Sequence, residues 1–205
     1  MSIVVDRTKP RHYEQDGRRY YSVSSVLALV YGNTHWADQA AMDRGTTVHR
    51  LFALSVAAYA GLCAPPDVPP ELEGYRKSWH SWLDIAKPEP ISIEQRAIST
   101  LTGLPFAGTW DLLCWMHDKG RRVKILIDLK SGQPEPWHRL QVQAYGKLCH
   151  TADRLALLYL DRDGGMPTWV IVKPDPRGWA AFHNALALLI YREGLQNVRA
   201  TKERR

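Results

Sequence analysis

Two apolar stretches flank a short polar turn near the middle of the chain. The stretch GLPFAGTWDLLCWM (103–116) precedes the turn HDKGR, and RVKILIDLKSG (122–132) follows it. Such runs around a polar turn with glycine are typical of a β-hairpin. Asp128 and Lys130 share one face of the second strand, because side chains alternate with a period of two. Buried charges need a partner or a metal ion, so the hairpin predicts either a structural ion pair or a site.

The register of this hairpin brings a second carboxylate to the same place. If the turn centres on Lys119 and Gly120, residues facing each other have numbers that add to about 239, and Asp111 lies opposite Asp128 (111 + 128 = 239). Directly opposed residues have Cβ atoms roughly 5 Å apart. Two such carboxylates repel each other unless a positive group lies between them. Lys130 alone would make a structural triad, and Mg²⁺ or Mn²⁺ would make a metal site.

The rest of the chain predicts helices on both sides of a sheet. Within the predicted second helix, Val48, Leu51, Phe52 and Ser55 follow helical spacing, as do Tyr75, Trp79 and Trp82 in the third. The predicted order is a short strand and a helix that starts at Ser22–Ser25 (19–32), helices at about 36–59 and 70–86, strands at 90–99, 103–116 and 122–132, a helix from about 137, strands at 155–164 and 167–175, and a helix at about 176–193. This order favours an α/β arrangement around a mixed sheet.

Composition and charge narrow the class of protein. The chain has 205 residues with ordinary hydrophobic content, which suits one globular domain. No run is long and apolar enough to span a bilayer, and no signal-peptide core is visible, so we expect no membrane partner and a cytoplasmic location. The net charge of +6 permits a polyanionic partner. Three cysteines far apart in sequence, without a Cys-x-x-Cys pair, argue against a zinc knuckle.

Five motifs occur in one order along the chain. They are RGTTVHRLF (44–52), SIEQRAI (92–98), GTWD (108–111), IDLKSG (127–132) and QVQAY (141–145). Together they resemble the core signature of the PD-(D/E)XK nuclease superfamily, in its RecB-like branch of small phage or prophage exonucleases. The resemblance runs from about residue 20 to residue 193.

This resemblance implies a fold and a division of the chain. The fold would be a restriction-endonuclease-like α/β core with a mixed central sheet flanked by helices and an N-terminal helical elaboration. A single nuclease domain would span 1–205. It would comprise an N-terminal helical part at about 1–88 that carries His49, a sheet core at about 89–193 with the catalytic motifs, and a basic tail at 194–205.

The resemblance also implies roles for individual residues. Asp111, Asp128 and the Leu129 carbonyl would bind Mg²⁺ or Mn²⁺, with His49 as a further ligand and Glu94 as another or as a brace. Lys130 would be the catalytic lysine. Gln141 and Tyr145, one helical turn apart, would orient Lys130 or the substrate phosphate. Arg44 and Arg139 would join them in binding nucleic acid.

Each role has a plainer alternative. His49 also suits a hydrogen-bonded core histidine, Gln141 and Tyr145 an ordinary helix pair, and Glu94 a strand residue facing solvent. An iron–sulfur cluster, found in some relatives, is not expected, because only Cys149 follows the QVQAY motif.

The expected function is a metal-dependent deoxyribonuclease that acts on DNA ends, in a bacterial cell or a phage-infected host cell. A homo-oligomer, or a separate recombination or replication protein, would be compatible with this class. Two other functions stay open: a catalytically silent nucleic-acid-binding protein with the nuclease fold, and a partner-binding protein whose triad is a buried ion-pair network. An RNA substrate is a further alternative, since nothing in the sequence indicates recognition of a 2′-hydroxyl.

Overall fold

The computed structural model describes residues 4–6, 12–31, 39–101 and 103–203, and for 4–6 and 195–203 only the backbone. Eight strands and five helices occur in this part of the chain, with a short 3₁₀ turn at Pro70–Leu72. In chain order they are β1 (Val4–Asp6), β2 (His12–Gln15), β3 (Arg18–Ser22), α1 (Val23–Tyr31), α2 (Gln39–Tyr59), α3 (Glu73–Ala86), β4 (Glu89–Ile98), β5 (Phe106–Asp118), β6 (Arg121–Lys130), α4 (Pro136–Cys149), β7 (Arg154–Tyr159), β8 (Thr168–Val172) and α5 (Pro176–Glu203).

All eight strands belong to one mixed sheet. Its order is β1-β2-β3-β5-β6-β7-β8, and β4 pairs with β5 outside this path. β3 pairs with β5 in parallel, β6 pairs with β7 in parallel, and the other pairs are antiparallel. The parallel pair β6–β7 needs a crossover connection, which α4 provides. The predicted mixed sheet is therefore confirmed.

Helices cover both faces of this sheet and bury two apolar cores. Leu113 of β5 and Leu126 of β6 pack with α1, α4 and α5 on one face. Their neighbours Leu112 and Ile127 pack with α2 and α3 on the other. On β6 this alternation places Asp128 and Lys130 on the α4 side, whereas on β5 it is interrupted beside Asp111, because Trp110 and Leu113 both pack in the core that contains α4. Among the described residues, no helix combines the length and apolar character needed to cross a membrane.

Most of the predicted elements are confirmed. The predicted core residues of α2 are buried, and so are Tyr75, Trp79 and Trp82 of α3. Helix α1 begins where the serines predict, because the Ser25 backbone N–H donates to the Ser22 hydroxyl at 3.1 Å. Helix α2 was predicted from about residue 36, and residues 32–38 lie outside the described part.

Two elements differ from the prediction. Strands β1 and β2 were not predicted, so the first part of the chain contributes strands to the sheet as well as helices. Each has only three or four residues and takes its support from pairing rather than from its own pattern. Helix α5 also continues to Glu203, past the predicted end at Glu193 and into the predicted basic tail.

A polar contact ties β3 to α5. The Tyr21 hydroxyl donates to the Glu193 carboxylate at 2.8 Å, and the Arg19 guanidinium donates to the same oxygen at 3.1 Å. Burial and the neighbouring carboxylate raise the pKa of Tyr21 to about 12. These two bonds thus join β3, from the first part of the chain, directly to the last helix.

Helix α4 lies so close to β5 that a glycine is required between them. A Cβ atom at Gly108 would lie 2.5 Å from Cε1 of Tyr145 and 3.3 Å from a methyl group of Leu148. The first distance is well below van der Waals contact. The glycine of GTWD therefore lets the Tyr145 ring lie across the strand three residues before Asp111.

We predict that Gly108→Ala lowers the free energy of unfolding by about 1–3 kcal/mol, because the added methyl group overpacks the contact with Tyr145. Denaturant unfolding of purified protein measures this change. Gly194→Ala is the matched control: no atom lies within 4 Å of a Cβ at this exposed position of α5. Equal stability of the two variants would contradict this account of Gly108.

Candidate metal and catalytic site

The site lies where β5 and β6 stop pairing. Seven residue pairs join the strands, from Leu112–Ile127 to Asp118–Arg121, and every pair adds to 239. The predicted register is confirmed. Asp111 and Asp128 are the next opposed positions, just beyond the last pair, and both are buried. An opening between the two strands thus begins at the two carboxylates.

Asp111 is held from two directions. Its Oδ1 lies 3.0 Å from Nδ1 of His49, which α2 brings to the sheet. Its Oδ2 accepts the backbone N–H of Leu129 at 2.6 Å. The carboxylate thereby takes the place of a strand partner for β6 at the point where the ladder has ended. This contact fixes Asp111 in the opening instead of leaving it to turn away from Asp128.

Lys130 begins a chain of polar contacts on the α4 side. Its Nζ lies 2.7 Å from Oδ2 of Asp128 and donates to Oε1 of Gln141 at 2.8 Å. The Gln141 amide donates in turn to the Tyr145 hydroxyl at 2.9 Å. Gln141 and Tyr145 face the same way because they are one helical turn apart. In the stretch HRLQVQAYG, Gln141 thus accepts a hydrogen bond from the Lys130 ammonium, and Tyr145 holds the Gln141 side chain in place.

Asp128 keeps one oxygen without a hydrogen bond. Its Oδ2 contacts the Lys130 ammonium as a charge, but the contact lacks hydrogen-bond geometry, and no described residue provides another partner. Buried carboxylate oxygens are normally satisfied, so such an atom calls for an explanation. A bound cation would satisfy this oxygen.

Glu94 completes a row of three acids across three strands. Ile93 pairs with Leu112 and Gln95 pairs with Trp110, so Glu94 lies opposite Asp111. Its φ of 50° is in the left-handed region, which costs a residue with a Cβ about 1–3 kcal/mol. One oxygen or nitrogen each of Glu94, Asp111 and His49 lie within 4.8 Å of one another. These three residues can hold a metal ion together.

The acids of the row titrate differently because their neighbours differ. Burial raises the pKa of Asp128 to about 6, against the opposing charge of Lys130. Although Glu94 as a residue is exposed, desolvation of its carboxyl and the charge of Asp111 raise its pKa to about 7. Burial works against the Asp111 carboxylate, yet His49 and Lys130 outweigh it and lower the pKa. Burial also opposes the His49 imidazolium, but Asp111 outweighs it and raises the pKa of His49.

The structure brings together most of the residues that the sequence predicted. The seven that share the opening or its contact chain are His49, Glu94, Asp111, Asp128, Lys130, Gln141 and Tyr145. Arg44 and Arg139 are exposed, and no contact within the described part of the chain joins them to this group. The Leu129 carbonyl lies on the same edge of β6 as its N–H, because a strand residue presents both groups to one neighbour. Its role as a ligand stays a prediction.

Three aromatic residues beside Lys130 were not predicted as part of the site. The Trp137 ring lies with its centroid 5.5 Å from the Lys130 ammonium. The His138 ring packs against it, and the Tyr159 hydroxyl lies 3.1 Å from Nδ1 of His138. From the sequence, Trp137 and His138 are predicted only to lie at the start of a helix. The position of Tyr159 depends on the register between β6 and β7, which no local pattern shows.

The fold is similar to that of an alkaline exonuclease (LHK-Exo) from Laribacter hongkongensis, with a TM-score of 0.50 and 12% sequence identity. This match covers 90% of the present chain and 92% of that chain. A structure of LHK-Exo in complex with dAMP matches 89% of this chain and 91% of that one, at 13% identity and a TM-score of 0.43. No protein-family model and no curated protein matches this chain. At such low identity the first likeness establishes the fold alone: a mixed sheet flanked by helices, as predicted.

We predict that the affinity for Mn²⁺ rises about tenfold between pH 6 and pH 8. Ligands must be deprotonated to bind a metal, and the carboxyls of Asp128 and Glu94, with pKa values of about 6 and 7, lose their protons over this range. Isothermal titration calorimetry at both pH values measures the change.

Glu94→Gln removes one of these titrations and should weaken binding and flatten its pH dependence. Glu89→Gln, on the same strand but paired with Arg122, is the matched control and should behave as the wild type. Equal affinity of the wild type at pH 6 and pH 8 would rule out a metal site made of these acids.

Proposed function

We propose that this protein is a metal-dependent nuclease that hydrolyses DNA phosphodiester bonds. One observation carries the proposal: Asp111, Asp128 and Lys130 converge with His49 and Glu94 at the opening between β5 and β6. Nucleic-acid binding alone requires no such set, and a structural ion pair requires no histidine and third carboxylate beside it. The likeness in fold to an exonuclease agrees with the proposal.

The residues of the opening fit a divalent metal ion. Carboxylate and carbonyl oxygens suit Mg²⁺ or Mn²⁺, and the imidazole of His49 favours Mn²⁺ somewhat. Asp128 has an oxygen without a hydrogen bond, which a cation would satisfy. We therefore assign Asp111, Asp128, His49 and the Leu129 carbonyl as ligands, with Glu94 as a further ligand or a brace. When bound, the ion activates water and stabilises charge on the phosphate oxygens.

Lys130 has the role of a fixed cation beside the reacting phosphate. Its ammonium can hold a water molecule for attack on phosphorus and neutralise charge that develops on a phosphate oxygen. For this it must stay in one place, and Asp128 and Gln141 hold it at 2.7 and 2.8 Å. Gln141 is itself held by Tyr145. Because these contacts already order the Lys130 side chain, it loses little conformational entropy when substrate binds.

DNA is the substrate that the charge and the family resemblance favour. The net charge of +6 attracts a polyanion, and binding should weaken as salt rises. The RecB-like branch consists largely of exonucleases, so we propose action on DNA ends.

The first test is cleavage of end-labelled linear and circular DNA, single- and double-stranded, with Mn²⁺, Mg²⁺ or EDTA. We expect metal-dependent loss of linear DNA and survival of the circles. Asp128→Ala and Lys130→Ala should each lower the rate at least about a hundredfold, since each removes a group that stabilises the transition state. Lys124→Ala is the matched control, because Lys124 lies on the same strand and outside the opening.

Four outcomes would redirect the proposal. Cleavage of circles as well as linear DNA would replace exonuclease by endonuclease action. Binding of DNA without cleavage under any metal would favour a nucleic-acid-binding protein that retains the fold. Neither binding nor cleavage would leave Asp128 and Lys130 as a buried ion pair, and preference for RNA in the same assay would change the substrate class.

A further inference from the structure

The Lys130 ammonium has a third neighbour besides its two polar partners. The Trp137 ring centroid lies 5.5 Å from Nζ, within the range of a cation–π contact. The Lys130 side chain is only 10% exposed, so little water competes with this contact. An anion, an amide oxygen and an aromatic ring thus surround one buried ammonium group.

His138 supports the Trp137 ring, and Tyr159 in turn contacts His138. His138 is buried, and its ring centroid lies 4.1 Å from that of Trp137, in an edge-on arrangement. Nδ1 of His138 accepts the backbone N–H of Glu135 at 3.2 Å, and the Tyr159 hydroxyl lies 3.1 Å from the same nitrogen. We call Trp137, His138 and Tyr159 the aromatic shelf.

The aromatic shelf belongs to two elements beside the lysine: strand β7, which pairs with β6, and helix α4. Tyr159 is the register partner of Lys130 across the parallel pair β6–β7. Trp137 and His138 belong to the first turn of α4, the helix that also carries Gln141. Burial, and then the charge of Lys130, lower the pKa of His138 to about 3, so its ring stays neutral beside the ammonium. The shelf therefore adds an aromatic surface without adding a competing positive charge.

We propose that Trp137 is a positioning residue that holds the Lys130 ammonium, and that His138, itself held by Tyr159, holds Trp137. Of the three contacts to Nζ, the one with Asp128 involves a carboxylate that is also assigned to the metal. The contact with Gln141 involves a group that is also expected to face the substrate, whereas Trp137 has no other assigned role. The consequence for catalysis rests on the proposed nuclease function, whereas the contact itself does not.

A double-mutant cycle tests the contact without any assay of activity. Unfolding by denaturant in metal-free buffer is measured for the wild type, Lys130→Met, Trp137→Leu and the double variant. We expect Trp137→Leu to change the folding equilibrium constant roughly threefold to thirtyfold more when Lys130 is present than when it is methionine. The same effect in both backgrounds would overturn the proposal.

Trp179→Leu is the matched control for the cycle. Its ring is also partly buried and also lies near a lysine ammonium, that of Lys147 at 5.4 Å. It packs on Phe106 and Phe182. Its effect on stability should therefore be the same with Lys130 or methionine at position 130. Coupling between Trp179 and position 130 as large as that of Trp137 would count against a specific contact.

Kinetics on a linear DNA substrate test the catalytic consequence. Trp137→Leu should lower kcat about tenfold and leave KM and Mn²⁺ affinity unchanged, while Trp137→Phe, which keeps a ring, should recover most of kcat. Trp179→Leu should keep the wild-type kcat. An active wild type with an unchanged kcat in Trp137→Leu would overturn the positioning role.

An inactive wild type with intact coupling would overturn the proposed nuclease function while leaving Trp137 as the residue that holds Lys130. The two failures are therefore distinguishable.

Discussion

Repulsion within a row of three neighbouring acids is the constraint on which the rest of the site depends. Glu94, Asp111 and Asp128 occupy opposed positions on β4, β5 and β6, where neighbouring side chains are only about 5 Å apart. Like charges at that distance do not all stay ionised without positive partners. Helix α2 supplies His49, and β6 itself supplies Lys130. Because helices α2 and α4 contribute His49 and Gln141, side chains from helices packed on opposite faces of the sheet meet at this opening.

The surrounding fold tolerates this cluster because its stability comes from elsewhere. Apolar residues alternate along β5 and β6 and fill a core on each face of the sheet. Glu94 has a left-handed backbone, Asp128 has an oxygen without a hydrogen bond, and both have raised pKa values. Strain and unsatisfied groups persist only where the surrounding structure determines them strongly, and they concentrate at functional sites.

Which features could be predicted from the sequence depends on how far apart in the chain the contacting residues lie. The β5–β6 register depends on one turn at Lys119 and Gly120, so simple counting placed Asp111 opposite Asp128. The short strands β1 and β2 pair with residues close in sequence, and β2 and β3 form a hairpin around the turn at Asp16 and Gly17, a local signal that the prediction missed. The aromatic shelf depends on the parallel register of β6 and β7, which α4 sets through packing that no sequence period shows. Apart from the missed hairpin, contacts between residues close in the sequence could therefore be predicted, whereas contacts that depend on the parallel pairing of β6 and β7 could not.

The bond between Tyr21 and Glu193 has a consequence for the order in which the molecule is completed during synthesis. Strands β5 and β6 and helix α4, which carry most of the acids and the lysine, leave the ribosome well before Glu193 does. Strand β3 can pair with Phe106 only after β5 exists, and its tie to α5 can form only after nearly the whole domain has emerged. Strand β3, an internal strand of the sheet, is thus the last to be fixed in place, by a bond between residues from opposite ends of the fold.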